Sequence, residues 1–131
     1  MKGKWITIHS GDLPLRSWWV DSYNDSEYIS IVLPEVFGIN HWIRSFSEKL
    51  ASQNVPVLAL PLYGRTAPKL DLGFGEKELK LGRYHKNLTT FKHIIEDVSA
   101  AIEMLGLISI NAKANAMNKF LIMNLDFYKM I

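Results

Sequence analysis

Five consecutive residues, Ile29-Ser30-Ile31-Val32-Leu33, restrict the fold more than any other part of the chain. The run is short, β-branched and almost wholly apolar, as expected of a strand buried on both faces in a helix-covered parallel sheet. Pro34 has no N–H to donate and closes the ladder. Gly38 then permits a tight backbone path, and Asn40 is suited to cap a following helix. A buried strand, a polar loop and a helix start form the junction where open α/β sheets hold their ligands. Glu35 stands at the carboxyl end of this strand. A carboxylate there, against an apolar sheet, is expected to have a raised pKa and to respond to neighbouring charge. The alternative is a loop carboxylate bonded to nearby backbone N–H groups.

The flanking segments supply the rest of a sheet. Trp5–His9 and Leu15–Val20 read as two strands of a hairpin across Ser10-Gly11-Asp12-Leu13-Pro14, and Asn24-Asp25-Ser26 reads as the next turn. From His41 to Gln53, the residues Ile43, Phe46 and Leu50 recur at helical spacing with Ile39 just ahead. Val55–Leu60 is a second apolar run, closed by Pro61. Strand, helix and strand with short links make a βαβ unit with parallel strands and a right-handed crossover. Leu62–Gly75 reads as loop, Glu76–Lys80 as a short solvated helix, and Thr89–Leu105 as a stronger helix stopped by Gly106. The expected class is α/β: an N-terminal β-hairpin plus a partial, mostly parallel sheet flanked by helices. Residues 107–131 differ in character, with no glycine or proline and many Asn, Lys, Ile and Met. The expected division is therefore 1–106 as the N-terminal part of an α/β domain and 107–131 as a divergent tail, either a substitute strand or the product of a shifted reading frame.

Composition excludes several functions. At 131 residues the chain is expected to be one domain, and 48% hydrophobic with 21% charged residues fits a globular protein. A formal charge of +2 is too small and too evenly spread to attract nucleic acid. The chain has no cysteine, which removes disulfides and thiolate chemistry. There is no signal-peptide run, and no stretch approaches the roughly 18 apolar residues of a membrane span. A cytoplasmic protein without membrane or nucleic-acid partners is expected. His85 and His93 lack the spacing of a zinc helix, while His9 and His41 are isolated, so no metal or other cofactor is expected. Gly73-Phe74-Gly75-Glu76 does not follow a strand and is not read as a phosphate loop.

Several blocks lie in a meaningful order: Ile-Val-Leu-Pro-Glu-Val-Phe-Gly-Ile-Asn at 31–40, Leu-Ala at 50–51, Val-Leu-Ala-Leu-Pro-Leu-Tyr-Gly-Arg at 57–65, and Thr-Ala-Pro at 66–68. Leu-Gly-Arg-Tyr-His-Lys at 81–86 and Asp-Val-Ser-Ala-Ala-Ile at 97–102 follow. Together they resemble the dienelactone hydrolase family, of the α/β-hydrolase fold, over most of residues 28–105. The resemblance implies hydrolysis of a small carboxylic ester or lactone through a cysteine acyl-enzyme. It implies that Val36 supplies a backbone N–H to the oxyanion hole and that Glu35 is the internal carboxylate facing the nucleophile. It places Arg83 in the region of an arginine that binds the substrate carboxylate, with Arg65 a second candidate for an anionic group. For both arginines the alternative is a solvated surface cation.

The resemblance stops where the chemistry should begin. Such a hydrolase needs a Gly-x-Cys-x-Gly elbow, then Asp and His, and this chain has no cysteine, no Gly-x-Ser-x-Gly, and no glycine after Gly106. Residues 119–128 can be laid over the strand-and-elbow pattern with Asp126 at the nucleophile position, but Asn124 and Tyr128 then replace the flanking glycines. The chain alone is expected to be inactive. A non-catalytic binding module and a subunit completed by another chain remain as alternatives. In the hydrolase topology Ile29–Leu33 lies between Val55–Leu60 and the nucleophile-bearing strand. Unless Phe120–Met123 fills that place, an apolar sheet edge is left that favours self-association.

Overall fold

The computed structural model describes residues 2–111 and 119–125. β1 (Lys4–Ser10) and β2 (Leu13–Val20) form the expected hairpin, with a shorter turn than the sequence indicates. Only Gly11 and Asp12 lie between the strands, so Pro14 sits inside β2 opposite His9. β3 (Tyr28–Pro34), α1 (His41–Ala51) and β4 (Val57–Ala59) then build the βαβ unit. The chain continues through α2 (Glu76–Leu88), α3 (Phe91–Asn111) and β5 (Lys119–Leu125).

The five strands make one mixed sheet in the order β1-β2-β4-β3-β5. β2 runs antiparallel to β1 and β4, while β3 runs parallel to both its neighbours, β4 and β5. Alternate residues of β3 separate two cores, as the period of two requires. Ile29, Ile31 and Leu33 join Leu58, Leu60, Ala101 and Leu105 on the α3 side. Val32 joins Ile43, Ala51, Val57 and Ala59 on the α1 side. The small polar Ser30 is fully buried, and its hydroxyl donates to Met123 Sδ of β5 at 3.4 Å.

Two helices run further than sequence spacing indicates. α2 extends to Leu88 rather than ending near Lys80, because Gly82 lies in its interior as a contact point and not as a break. α3 passes through Gly106 to Asn111. A glycine inside a helix costs only about 1 kcal/mol, too little by itself to end a helix of 21 residues. Among the described residues no helix is long and apolar enough to cross a membrane.

Candidate active site at the carboxyl end of β3

The backbone turns sharply as it leaves β3. Val36 adopts φ +40°, a left-handed conformation that a β-branched residue rarely takes. Such a conformation costs on the order of 1–3 kcal/mol and persists only when its surroundings impose it. Three surroundings do so here. The Val36 N–H donates to Tyr63 Oη at 3.0 Å. The Val36 carbonyl lies against Gly82 of α2, where a Cβ would fall 1.9 Å from its oxygen. Two residues further on, Gly38 has φ +74°, and a Cβ there would fall 2.1 Å from the Leu70 carbonyl oxygen. Only glycine fits either approach.

The loop after β4 ties this turn down from the other side. The Ile39 N–H donates to Leu70 O at 3.1 Å, and the Leu72 N–H donates to Phe37 O at 2.9 Å. Asn40 caps α1 as its position indicates, its Oδ1 accepting from the Ile43 N–H at 3.1 Å. Its Nδ2 donates to Leu72 O at 2.9 Å, so one side chain joins helix and loop. Arg44 donates to Ile39 O at 2.8 Å and to Asp71 at 3.0 Å.

Glu35 occupies the strand end named from the sequence. Its side chain is 13% exposed, and Oε1 lies 4.0 Å from Lys86 Nζ of α2. Beside it is a cavity of about 10 Å³ lined by Phe37, Gly38, Asn40, Trp42 and Phe74, room for one water at most. Phe74 meets Phe37 edge to face, with ring centroids 4.9 Å apart. α2 thus brings Gly82 and Lys86 to the carboxyl end of β3, while His85 Nδ1 lies 2.9 Å from Thr66 Oγ1 in the loop after β4.

The two arginines have different settings. Arg83 is exposed on α2, next to the Gly82 contact with Val36. Arg65 instead makes a bidentate pair with Asp97 of α3, at 2.8 and 3.1 Å, with Glu96 at 3.6 Å. Asp97 is fully buried, and a carboxylate in that position requires a cation beside it. The Arg65 charge therefore serves to dock the loop after β4 onto α3. Sequence reasoning missed Tyr63, Gly82 and Lys86 as neighbours of the turn. All three fall within the blocks that carry the family resemblance, but no spacing rule connects them to Val36 or Glu35.

Chemically, the turn offers one strained N–H with an oxygen 3.0 Å in front of it, the separation at which an oxyanion donor works. A carboxylate–ammonium pair stands on the adjoining residue. Asp126 lies outside the described residues, although β5 ends with Leu125 in register with Pro34. Among the described residues no three His, Asp or Glu side chains converge as metal ligands.

Comparison with known proteins bears on the fold. The chain is 29% identical over 98 residues to a provisionally named carboxymethylenebutenolidase of Synechocystis sp., a match covering 74% of this chain and 40% of that protein. The fold matches a provisionally named dienelactone hydrolase from Klebsiella pneumoniae with a TM-score of 0.69 at 16% identity, over 94% of this chain and 49% of the other. It also matches a dienelactone hydrolase-like promiscuous phosphotriesterase from metagenomic libraries, with a TM-score of 0.60 at 15% identity, over 96% and 49% of the two chains. No family model matches the chain. The chain thus spans 40% of the length of the curated relative and 49% of each of these solved chains.

Proposed function

Starting from a chain that resembles the dienelactone hydrolases in sequence and shares their α/β fold, we propose that it carries the acyl-oxygen-binding part of a carboxylic ester or lactone hydrolase site and has no turnover by itself. The observation that carries this reading is the Val36 N–H, held at positive φ at the carboxyl end of a buried strand and aimed at an oxygen. Tyr63 Oη stands in for the substrate oxygen, which takes the N–H when the ester binds. Glu35 and Lys86 form the charged pair beside the reacting centre. Arg83, one residue from the helix contact with Val36, is the cation assigned to a substrate carboxylate. Arg65 is left out of this assignment because Asp97 already holds it.

Acyl transfer also needs a nucleophile, a base that activates it and a group that orients the base. This chain has no cysteine and no Gly-x-Ser-x-Gly. One oxyanion donor is worth about 3–4 kcal/mol even in a complete site, and no covalent step starts from it. The purified protein should therefore leave an activated aryl ester and a dienelactone unhydrolysed above the buffer rate. Saturable turnover that disappears in Asp126→Ala would overturn this reading and make Asp126 the nucleophile. A non-catalytic binding module is the second reading, favoured by the missing nucleophile. It requires saturable binding of the dienelactone without turnover, weakened in Arg83→Ala.

A further inference from the structure

On the α1 face of the sheet, the hairpin carries a cation with no anionic counterpart among the described residues. Arg16 of β2 stands opposite Thr7 of β1, and Trp5 is its diagonal neighbour across the pair. The Arg16 guanidinium carbon lies 3.6 Å from the centroid of the Trp5 ring. That ring is itself set edge to face against Trp18, with centroids 5.0 Å apart. One face of the half-buried guanidinium is thus stacked, but its N–H groups meet no carboxylate or other acceptor among the described residues. Arg16 and Trp5 share a small hollow with Ile39, Pro61, Leu70 and a second cation, Lys69. Lys69 is exposed and has no ion pair among the described residues. Asp71, two positions further on, already pairs with Arg44 at 3.0 Å.

We propose that Arg16 and Lys69 hold a phosphate dianion at the mouth of this hollow, a second anion site besides the one assigned to Arg83. A charge set among apolar side chains is normally paired, and here two cations adjoin with no anion from the described residues. Stacking on Trp5 fixes the guanidinium plane, and a planar fork takes two phosphate oxygens at once. Lys69 adds a point charge, which favours a dianion over a singly charged carboxylate. The frame is built before any ligand arrives. The Ala67 N–H donates to Tyr63 O at 2.7 Å, the Leu70 N–H to Ala67 O at 3.3 Å, and the Ile39 N–H to Leu70 O at 3.1 Å. These bonds tie the turn that carries Lys69 to the β3–α1 junction, so little order is lost on binding. The hollow itself, at about 10 Å³, has room for one water at most, which leaves the phosphate at its mouth.

The test is an NMR titration of the isotope-labelled chain with inorganic phosphate at about pH 7.5, where the dianion dominates. The Arg16 side-chain N–H, the Trp5 indole N–H and the Lys69 amide should shift along one saturable curve, with Kd on the order of 1 mM. Arg16→Gln should weaken binding on the order of tenfold, and Lys69→Gln by about threefold. Arg16→Lys keeps the charge but loses the fork, and it should also weaken binding. Lys77→Gln removes the same charge from the exposed side of α2 and should leave binding unchanged. Affinity should fall as the pH drops through the second phosphate pKa near 6, and acetate at matched ionic strength should bind on the order of tenfold more weakly. Tighter binding of phenyl phosphate would support a site for phosphate monoesters, and equal binding a site for the free ion. If Arg16→Gln does not fold, the residue-resolved shifts of the unmodified chain decide alone. Shifts that stay linear in phosphate, or that spread equally over the exposed lysines, would overturn the proposal. Acetate binding as tightly as phosphate would overturn it too, as would equal losses in Arg16→Gln and Lys77→Gln.

Discussion

Leu58, Ile31 and Ile122 stand side by side in register across β4, β3 and β5, on one face of the sheet. Leu58 and Ile31 are fully buried, whereas Ile122 is half in solvent. The other face repeats the contrast, with Val57 and Ser30 fully buried and Leu121, in the same row, exposed. β4 pairs with β3 along three residues and β5 along seven, so the longer ladder is the worse covered. The difference lies in the helices. α1 packs on β4 and β2, and α3 packs on β1 and reaches the inner cluster of β3. Backbone pairing and burial are separate sources of stability, and burial is the larger at about 25 cal/mol per Å² of apolar surface.

The sharpest test of that contrast is truncation on the covered side. Leu58→Ala removes a fully buried side chain from the α3-side core, and urea unfolding should show a loss of about 2–5 kcal/mol. A smaller but more local effect is expected where α2 meets the turn. Gly82→Ala sets a methyl against the Val36 carbonyl and pushes the helix away, at about 1–3 kcal/mol. It should also speed amide exchange at Val36, whose N–H is held by Tyr63. The least effect belongs to β5. Ile122→Ala should cost less than about 1 kcal/mol in dilute protein, since half of that side chain is in water already. A loss matching that of Leu58→Ala would show β5 to be covered in solution and would break the comparison.

The same contrast separates the two sides of the candidate site. The β3–α1 side is held by short-range contacts: Asn40 to Ile43, and the Glu35 carbonyl accepting from the Gly38 N–H at 3.2 Å. The α2 side is held by residues remote in the chain, Tyr63, Gly82 and Lys86. In stability, the first side depends on turn and cap chemistry, and the second on how closely a helix approaches a strand end.

By itself, the sequence determined what local chemistry can decide. The β-branched run at 29–33 required a buried strand, Pro34 and Gly38 required the turn after it, and Asn40 required a helix start with its own amide as the cap. Glu35 and Val36 were legible at the strand end for the same reason, since a residue's place relative to its own strand is a matter of a few bonds. Tertiary structure decided the rest. Gly106 reads as a stop, yet α3 passes through it; Gly82 carries no structural signal of its own in the sequence, yet it is where α2 touches the turn. Arg65 reads as a free cation until Asp97, 32 residues away, is packed beneath it. The apolar residues of β5 look like those of β3, but nothing in their order states that one strand is covered and the other is not. Propensity, capping and turn formation act over a few residues, whereas cover and ion pairing depend on which distant segments arrive, and packing alone selects those.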